Sequence, residues 1–462
     1  MSTACPGRAD PAAWRVVMTA RDGGARLAAQ PVASVAPGDA DGPRVSIDAS
    51  RRFQTVLGFG GAFTEAAAVT WQTLPEAERE ALLQAYFDPA TGHGYTLGRV
   101  HMGSCDFSLG HYAHADVPGD LALEHFSIAR DRVALLPFLK AAQRVAGRPL
   151  TLLASPWSPP AWMKDNGRMA HGGRLKPECR EAWARCFVRF IQAYADEGVP
   201  IWGVTLQNEP LAVQRWDSCL WSAQEERDFV RDHLGPALDT AGLGHVKILG
   251  WDHNRDLMVE RASVLYGDPD AARRFWGLAF HWYGEPHFDH VRQVHEAWPD
   301  KQLLFSEGCQ EGGPHWDSWA AAERYALALV NDLNHGTVGW IDWNLLLDET
   351  GGPNHVGNLC HAPVLVDRAA NRWVAQPSFH VLGQFARFVA PGARRVLCTA
   401  TREALATTAL ANPDGSVAVV VLNRGDEALS CVLTHDAGQG RIDLPAHAIA
   451  TCTLPPALPA AA

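Results

Sequence analysis

From about residue 54 to residue 388 the chain repeats one pattern: a short apolar run, a loop, then an amphipathic stretch of helical period. The apolar runs fall at residues 55–60, 96–102, 150–155, 201–207, 247–251, 277–282, 302–307 and 338–344. Helical periodicity lies at 75–87, at 128–146 behind a Ser127 cap, and at 180–195, 225–241 and 318–333. Strands separated by helices pair in parallel, and eight of them close most economically into a (β/α)8 TIM barrel. Such a barrel carries its chemistry in the loops at the C-terminal ends of its strands, so those ends are where functional side chains are expected.

The flanks read differently. Short alternating runs with Gly and Pro turns occupy residues 14–47, and strand-like runs return from residue 393, with Asn412-Pro413-Asp414-Gly415 as a hairpin turn. Neither end is long enough to bury a core alone, so both are expected to share one all-β sandwich. The division predicted is 1–53 and 389–462 for the sandwich and 54–388 for the barrel; a chain of 462 residues suits two domains. The tail 455–462 is of low complexity and predicted to be mobile.

Net charge of −11 without any Lys/Arg cluster argues against a nucleic-acid partner or an anionic membrane surface. No apolar window is long enough for integral membrane association. The ten cysteines are scattered without CxxC or zinc-type spacing, and residues 1–10 show no apolar leader region. Reduced, buried cysteines and a cytoplasmic location are expected, with no cofactor and no metal. Oligomeric state leaves no mark in the sequence.

The strand ends supply the chemistry. The fourth run leads into Thr205-Leu-Gln-Asn208-Glu209-Pro210, and the seventh ends in Ser306-Glu307. Strands four and seven face each other across an eight-stranded mouth, so Glu209 and Glu307 can flank one glycosidic bond, and a separation of roughly 5–5.5 Å would let one attack the sugar directly. Seventeen Trp against seven Tyr provide flat apolar faces for sugar rings, and Trp157 and Trp343 sit at strand ends as wall and floor. Arg99, inside the second strand, needs a carboxylate partner. Asp106 either supplies it or, as the reading preferred here, accepts from sugar hydroxyls. Tyr283 is suited to hold a carboxylate ionised. The glycines of Gly58-Phe-Gly-Gly suit a tight backbone rather than a phosphate loop, with Glu65 bracing the loop. Asp252, His253 and His281, or His111 and His114, are conceivable metal ligands, but no ligand spacing supports them.

Taken in order, Gly58-Phe-Gly-Gly-Ala-Phe-Thr, Arg99-Val-His-Met-Gly-Ser-Cys-Asp-Phe-Ser, Leu153-Ala-Ser-Pro-Trp, Asn208-Glu-Pro, His281-Trp-Tyr, Ser306-Glu, Gly339-Trp-Ile-Asp-Trp-Asn and Gly351-Gly-Pro-Asn resemble glycoside hydrolase family 30, specifically its glucosylceramidase branch. The resemblance implies a retaining β-glucosidase acting on a glycoside or glycolipid, with Glu209 as acid/base and Glu307 as nucleophile. It further implies that Asn208 binds the sugar 2-hydroxyl, that Asp106, Trp157 and Trp343 contact glucose with Asn358 at the pocket edge, and that Arg99 and Tyr283 keep the nucleophile ionised. The segments 211–221 and 308–319, on the leaving-group side, match poorly. A β-xylosidase or endo-β-glucanase built on the same two glutamates, or an inactive sugar-binding barrel, are the competing readings.

Overall fold

Runs such as Leu152-Leu-Ala-Ser and Leu303-Leu-Phe-Ser are apolar on both faces, as a strand covered by helices outside and packed side chains inside must be. In the computed structural model, which describes residues 14–35, 41–436 and 438–455, eight such strands form a closed barrel. They are β1 (Gly58–Phe63), β2 (Leu97–Met102), β3 (Thr151–Pro156), β4 (Ile201–Thr205), β5 (Lys247–Asn254), β6 (Phe275–His281), β7 (Gln302–Glu307) and β8 (Thr337–Asn344). Pairing is parallel from β1 through β7. The glycine pattern of β1 has a steric cause: a Cβ on Gly60 would lie 2.0 Å from the Leu97 carbonyl oxygen of β2.

Several boundaries differ from expectation. The first barrel strand begins at Gly58, because Arg44–Thr55 is one long strand of the flanking sheet. The helix expected over 128–146 starts only at Leu135. Before it, Asp131 turns its side chain inward to accept from the Tyr112 and Tyr194 hydroxyls and to meet His114, which a regular helix would prevent. The helix expected over 225–241 is Ala223–Phe229 and Gly235–Thr240 joined by a π-turn at Val230–Leu234; Pro236 has no N–H to continue an α-helical ladder. A helix at Glu65–Thr73, unforeseen, is capped by the Thr64 hydroxyl. Glu65 opens it and does brace the loop, accepting from Arg130 and from the Leu109 N–H.

Packing gathers the chain into two compact units, Phe59–Trp316 with Gly339–Val374, and Met1–Gly58 with Asp317–Val338 and Ala375–Ala462. In the second, strands from both chain ends form one ten-stranded sheet in which Arg15–Ala20 pairs with Ala448–Leu454, and Arg44–Thr55 with both Arg394–Ala400 and Leu429–His435. The sheet doubles over on itself as a sandwich. Trp14, at one end of the strand order, packs on Gly440 near the other, and a single apolar core joins them. Two helices, Trp319–Asn334 and Pro377–Ala386, belong to this unit, with Gln384 bonded to Thr19 and Thr451.

Nine cysteines are described and all are free thiols, eight of them buried; Cys5 and the tail 456–462 lie outside the described residues. Among the described residues no helix is long and apolar enough to cross a membrane.

Candidate active site

A pocket of about 440 Å³ opens at the C-terminal ends of the barrel strands, within the size range of small-molecule sites. Glu209, Glu307, Asn208, Asp106, Asn358, Trp157, Trp343 and Tyr283 all line it. Arg99 lies beneath it, fully buried in β2. The sequence-predicted site residues therefore converge on one cavity, although they come from separate stretches of the chain.

Arg99 organises the floor. Its Nη1 donates to Glu307 Oε2, its Nη2 to Asn208 Oδ1 (2.9 Å) and Asp252 Oδ2 (2.7 Å), and its Nε to the Ser155 hydroxyl (3.1 Å). The guanidinium lies 4.8 Å from the Trp157 ring and 5.6 Å from that of Trp343, which stack on each other at 5.3 Å. A buried cation is tolerable only when its charge is answered, and here two carboxylates answer it. Its partners are thus Glu307 and Asp252, not Asp106. Because Arg99 can only donate, it faces the Asn208 oxygen and leaves the amide NH2 of Asn208 for the pocket.

Asp252 is the second hub, and sequence reasoning places it only among possible metal ligands. Its Oδ2 also accepts from the Thr205 hydroxyl (2.6 Å), and its Oδ1 from Ser306 (2.6 Å) and His281 Nε2 (2.9 Å). Burial pushes its proton affinity up, but Arg99 and His281 outweigh it and hold the carboxyl far below the usual range. Burial likewise works against charge on His281, yet Glu307, Asp252 and Glu209 together push its pKa up to about 9. His281 Nδ1 lies 3.4 Å from Glu209 Oε1, so this imidazolium spans Asp252 and Glu209.

The two glutamates differ in their surroundings. Besides Arg99, Glu307 accepts from the Tyr283 hydroxyl at Oε1 (2.9 Å); burial pushes that phenol well above its ordinary pKa, so it stays a donor. Burial pushes Glu307 upward, with His281 and Arg99 pulling down. Burial also raises Glu209, but His281 and His253 more than offset it and bring it below its ordinary value. These directions run opposite to a scheme in which Glu209 holds the proton, whereas the hydrogen bonds run with it. The contacts themselves are unequal. Glu307 faces a permanent cation and a phenol donor, while Glu209 meets only histidines, at 3.4 and 4.0 Å. Charge balance agrees: Arg99 and His281 neutralise Asp252 and one glutamate, and leave no counter-charge for the other.

The backbone marks the same place. Glu209, Trp251 and Asp252 all adopt left-handed conformations (φ 47°, 71° and 55°), and the Glu209 N–H donates to the Asp252 carbonyl at 2.9 Å. Such strain is kept where surrounding contacts enforce it. Buried Glu226 supplies one of those contacts by accepting the Trp251 N–H, with Arg261 as its counter-ion.

At the pocket edge, Asn358 Nδ2 and Asn354 Nδ2 donate to Asp106 Oδ2 at 2.9 and 3.4 Å. Burial pushes the Asp106 pKa up to about 7 against the pull of Asn358. Trp216, His253 and the residues Cys309 and Cys360 also line the pocket; His253 is named from the sequence only as a conceivable metal ligand, and nothing local marks the two cysteines as site residues. Trp162, a second indole in the loop after β3, donates to the Ala115 carbonyl away from the pocket.

Comparison with known proteins places this geometry. Residues 56–389 match the glycosyl hydrolase family 30 TIM-barrel domain, and 392–452 the family 30 β-sandwich domain. The chain is 38% identical over 403 residues to lysosomal acid glucosylceramidase of Mus musculus, covering 83% of this chain and 78% of that one. It is 30% identical over 409 residues to an endo-1,6-β-D-glucanase of Neurospora crassa, covering 84% and 83%. The crystal structure of SrfJ from Salmonella typhimurium superposes with a TM-score of 0.91 at 34% identity, over 96% of this chain and all of that one. By sequence and by architecture, the chain belongs to glycoside hydrolase family 30.

Proposed function

We propose that this glycoside hydrolase is a retaining, exo-acting β-glucosidase whose substrates are glucosylceramide or related β-glucosides. The observation that carries the retaining mechanism is the reach between the acids: a carboxylate oxygen of Glu209 and one of Glu307 lie within 4.8 Å of each other. That favours direct attack over the wider spacing, roughly 6.5–9.5 Å, that an inverting enzyme needs for an intervening water. Glu307, held by Arg99 and Tyr283, attacks the anomeric carbon. Glu209 gives its proton to the departing oxygen, then takes one from water as the glycosyl–enzyme bond is hydrolysed. The free amide of Asn208 meets the 2-hydroxyl, a contact that strengthens as oxocarbenium character develops. Asp106, anchored by Asn358, accepts from hydroxyls farther round the ring, over Trp157 and Trp343.

The glucosylceramidase relative supports a lipid or other apolar aglycone, and the glucanase relative supports a second reading, endo-action on β-1,6-linked glucan. Product analysis on glucosylceramide, a β-1,6-glucan and a xylooligosaccharide separates them. Glucose released from glucosylceramide supports the first reading, and internal scission of the glucan the second. Turnover of the xylooligosaccharide alone, or of none by folded protein, defeats both.

A further inference from the structure

Three loops above the barrel bring His111, Asp217 and His355 together, one each following β2, β4 and β8. One ligand atom from each lies within 4.8 Å of the others. His111 and His114, adjacent in helical spacing, do not act together: His114 turns to Asp131, and His111 instead meets two residues more than a hundred positions away.

Two features of the cluster point to a ligand. Asp217 Oδ1 is satisfied by the Ser104 hydroxyl (2.8 Å) and His111 Nδ1 (3.0 Å), but its Oδ2 is buried without a partner, on a side chain with no exposure. His355 Nε2 is likewise buried and unpartnered, on a side chain only 9% exposed, and lies 3.8 Å from that oxygen, beyond hydrogen-bond reach. An anionic oxygen and an imidazole nitrogen facing each other unpaired is a costly arrangement that something must satisfy. The tautomer is fixed by the other ring nitrogen. His355 Nδ1 is 3.0 Å from the Asp106 carbonyl and 3.1 Å from that of Ser108, so the proton sits on Nδ1 and Nε2 offers a lone pair into the gap. A backbone carbonyl receiving the far N–H is the usual support of a metal-bound histidine.

We propose that His111, Asp217 and His355 form a binding site for a first-row divalent transition metal such as Zn²⁺, with a fourth position left to water. Two imidazoles and a carboxylate suit such ions, and a tetrahedral site at bond lengths of about 2.0–2.1 Å sets ligand atoms roughly 3.3 Å apart. The 3.8 Å between Asp217 Oδ2 and His355 Nε2 is roughly 0.5 Å wider than that. His111 is 44% exposed and borders an open pocket of about 420 Å³, which gives an ion its route in. Buried Lys164 is occupied by Ser158 and the carbonyls of Met169 and Ser218, and Arg168 and Arg215 line the same open pocket as His111. The ion ties three loops together and, through His355, steadies the segment that carries Asp106. It takes no part in bond cleavage, so the proposal is independent of the substrate assignment.

Co²⁺ titration of chelator-treated full-length protein, followed by visible absorption and thermal unfolding, tests the site. One equivalent is expected to give ligand-field bands and raise Tm by several degrees. His111→Ala, at a half-exposed position, and Asp217→Asn are expected to lose both responses while keeping their far-ultraviolet circular dichroism. Glu307→Gln, which disrupts the other buried carboxylate–histidine cluster at Glu209 and His281, is expected to keep them. Absence of binding by the unaltered protein, or binding that survives unchanged in His111→Ala, would overturn the proposal. Loss of binding in Glu307→Gln would assign the ion to the sugar pocket instead and overturn it equally.

Discussion

The two sides of the sugar pocket hold the same functional group in different ways. On the β7 side, Glu307 sits at the end of a regular strand and touches a guanidinium and a phenol, neither of which changes charge at physiological pH. On the β4 side, Glu209 stands on left-handed backbone beyond the strand end, and its neighbours are His281 and His253, which do titrate. One carboxyl hydrogen-bonds to groups of constant charge and the other lies against groups that titrate, although His281 also acts on Glu307 through space. A double-displacement hydrolysis asks for that asymmetry, since one carboxylate must stay ionised while the other exchanges a proton in each half-reaction.

Removing the fixed side puts the contrast under the heaviest load. Glu307→Gln is expected to lower kcat by at least roughly 10⁴-fold on every substrate, the scale on which losing a nucleophile is felt. Residual turnover that depends on leaving-group acidity would mean that the roles are exchanged. Glu209→Gln should cost about 10²–10⁴-fold on unactivated glucosides but spare the first step for aryl glucosides with acidic leaving groups. A burst of aryl alcohol followed by slow turnover is the signature, and equal loss on both substrate types would remove Glu209 as the acid.

A subtler change isolates the pH coupling. His281 is charged below about pH 9 and lowers the proton affinity of Glu209. His281→Gln keeps a donor for Asp252 but removes that cation, so Glu209 should hold its proton to higher pH. The alkaline limb of kcat/KM should move upward, with a rate loss near tenfold, the worth of one charge-assisted hydrogen bond of roughly 1.5 kcal/mol. An unmoved limb would show that the histidine does not set the acid.

The same asymmetry explains what can be read from the chain. Ser306-Glu307 is legible because a strand delivers its last residue to the mouth by local geometry alone, and Asn208-Glu209-Pro210 because it follows closely on the end of β4. Trp157 and Trp343 follow for the same reason. Asp252 is not recognisable as a hub because its role exists only where Arg99, Thr205, His281 and Ser306, from four strands, meet it. No spacing encodes that meeting. Helix boundaries depart from the periodic pattern where a side chain has a competing use, as at Asp131, or where Pro236 breaks the ladder. The sandwich is readable as a class from strand runs at both ends, but its doubling, with Trp14 on Gly440, is a property of the assembled sheet.

The last effect expected is one of stability rather than rate, at the pocket edge, where the two glutamates act on Asp106 through space. Asp106 has an ordinary pKa near 3.8 when exposed, and burial raises it to about 7 in the folded protein. Between those values the folded state holds a proton that the unfolded chain has released, so stability falls as pH rises from about 4 to about 7 and stays reduced above it. Integrated over that window the penalty is at most about 4 kcal/mol. Asp106→Asn removes the titration while keeping an oxygen to accept from Asn358. Its Tm should therefore match or exceed that of the unaltered protein at pH 8, with the advantage shrinking toward pH 4, while KM for a glucoside rises because an acceptor-only carboxylate has been lost. A stability difference that is constant across pH would show that Asp106 titrates normally. In that case its carboxylate is no strained ligand holder but an ordinary part of the wall, and the contrast within the pocket would rest on the two glutamates alone.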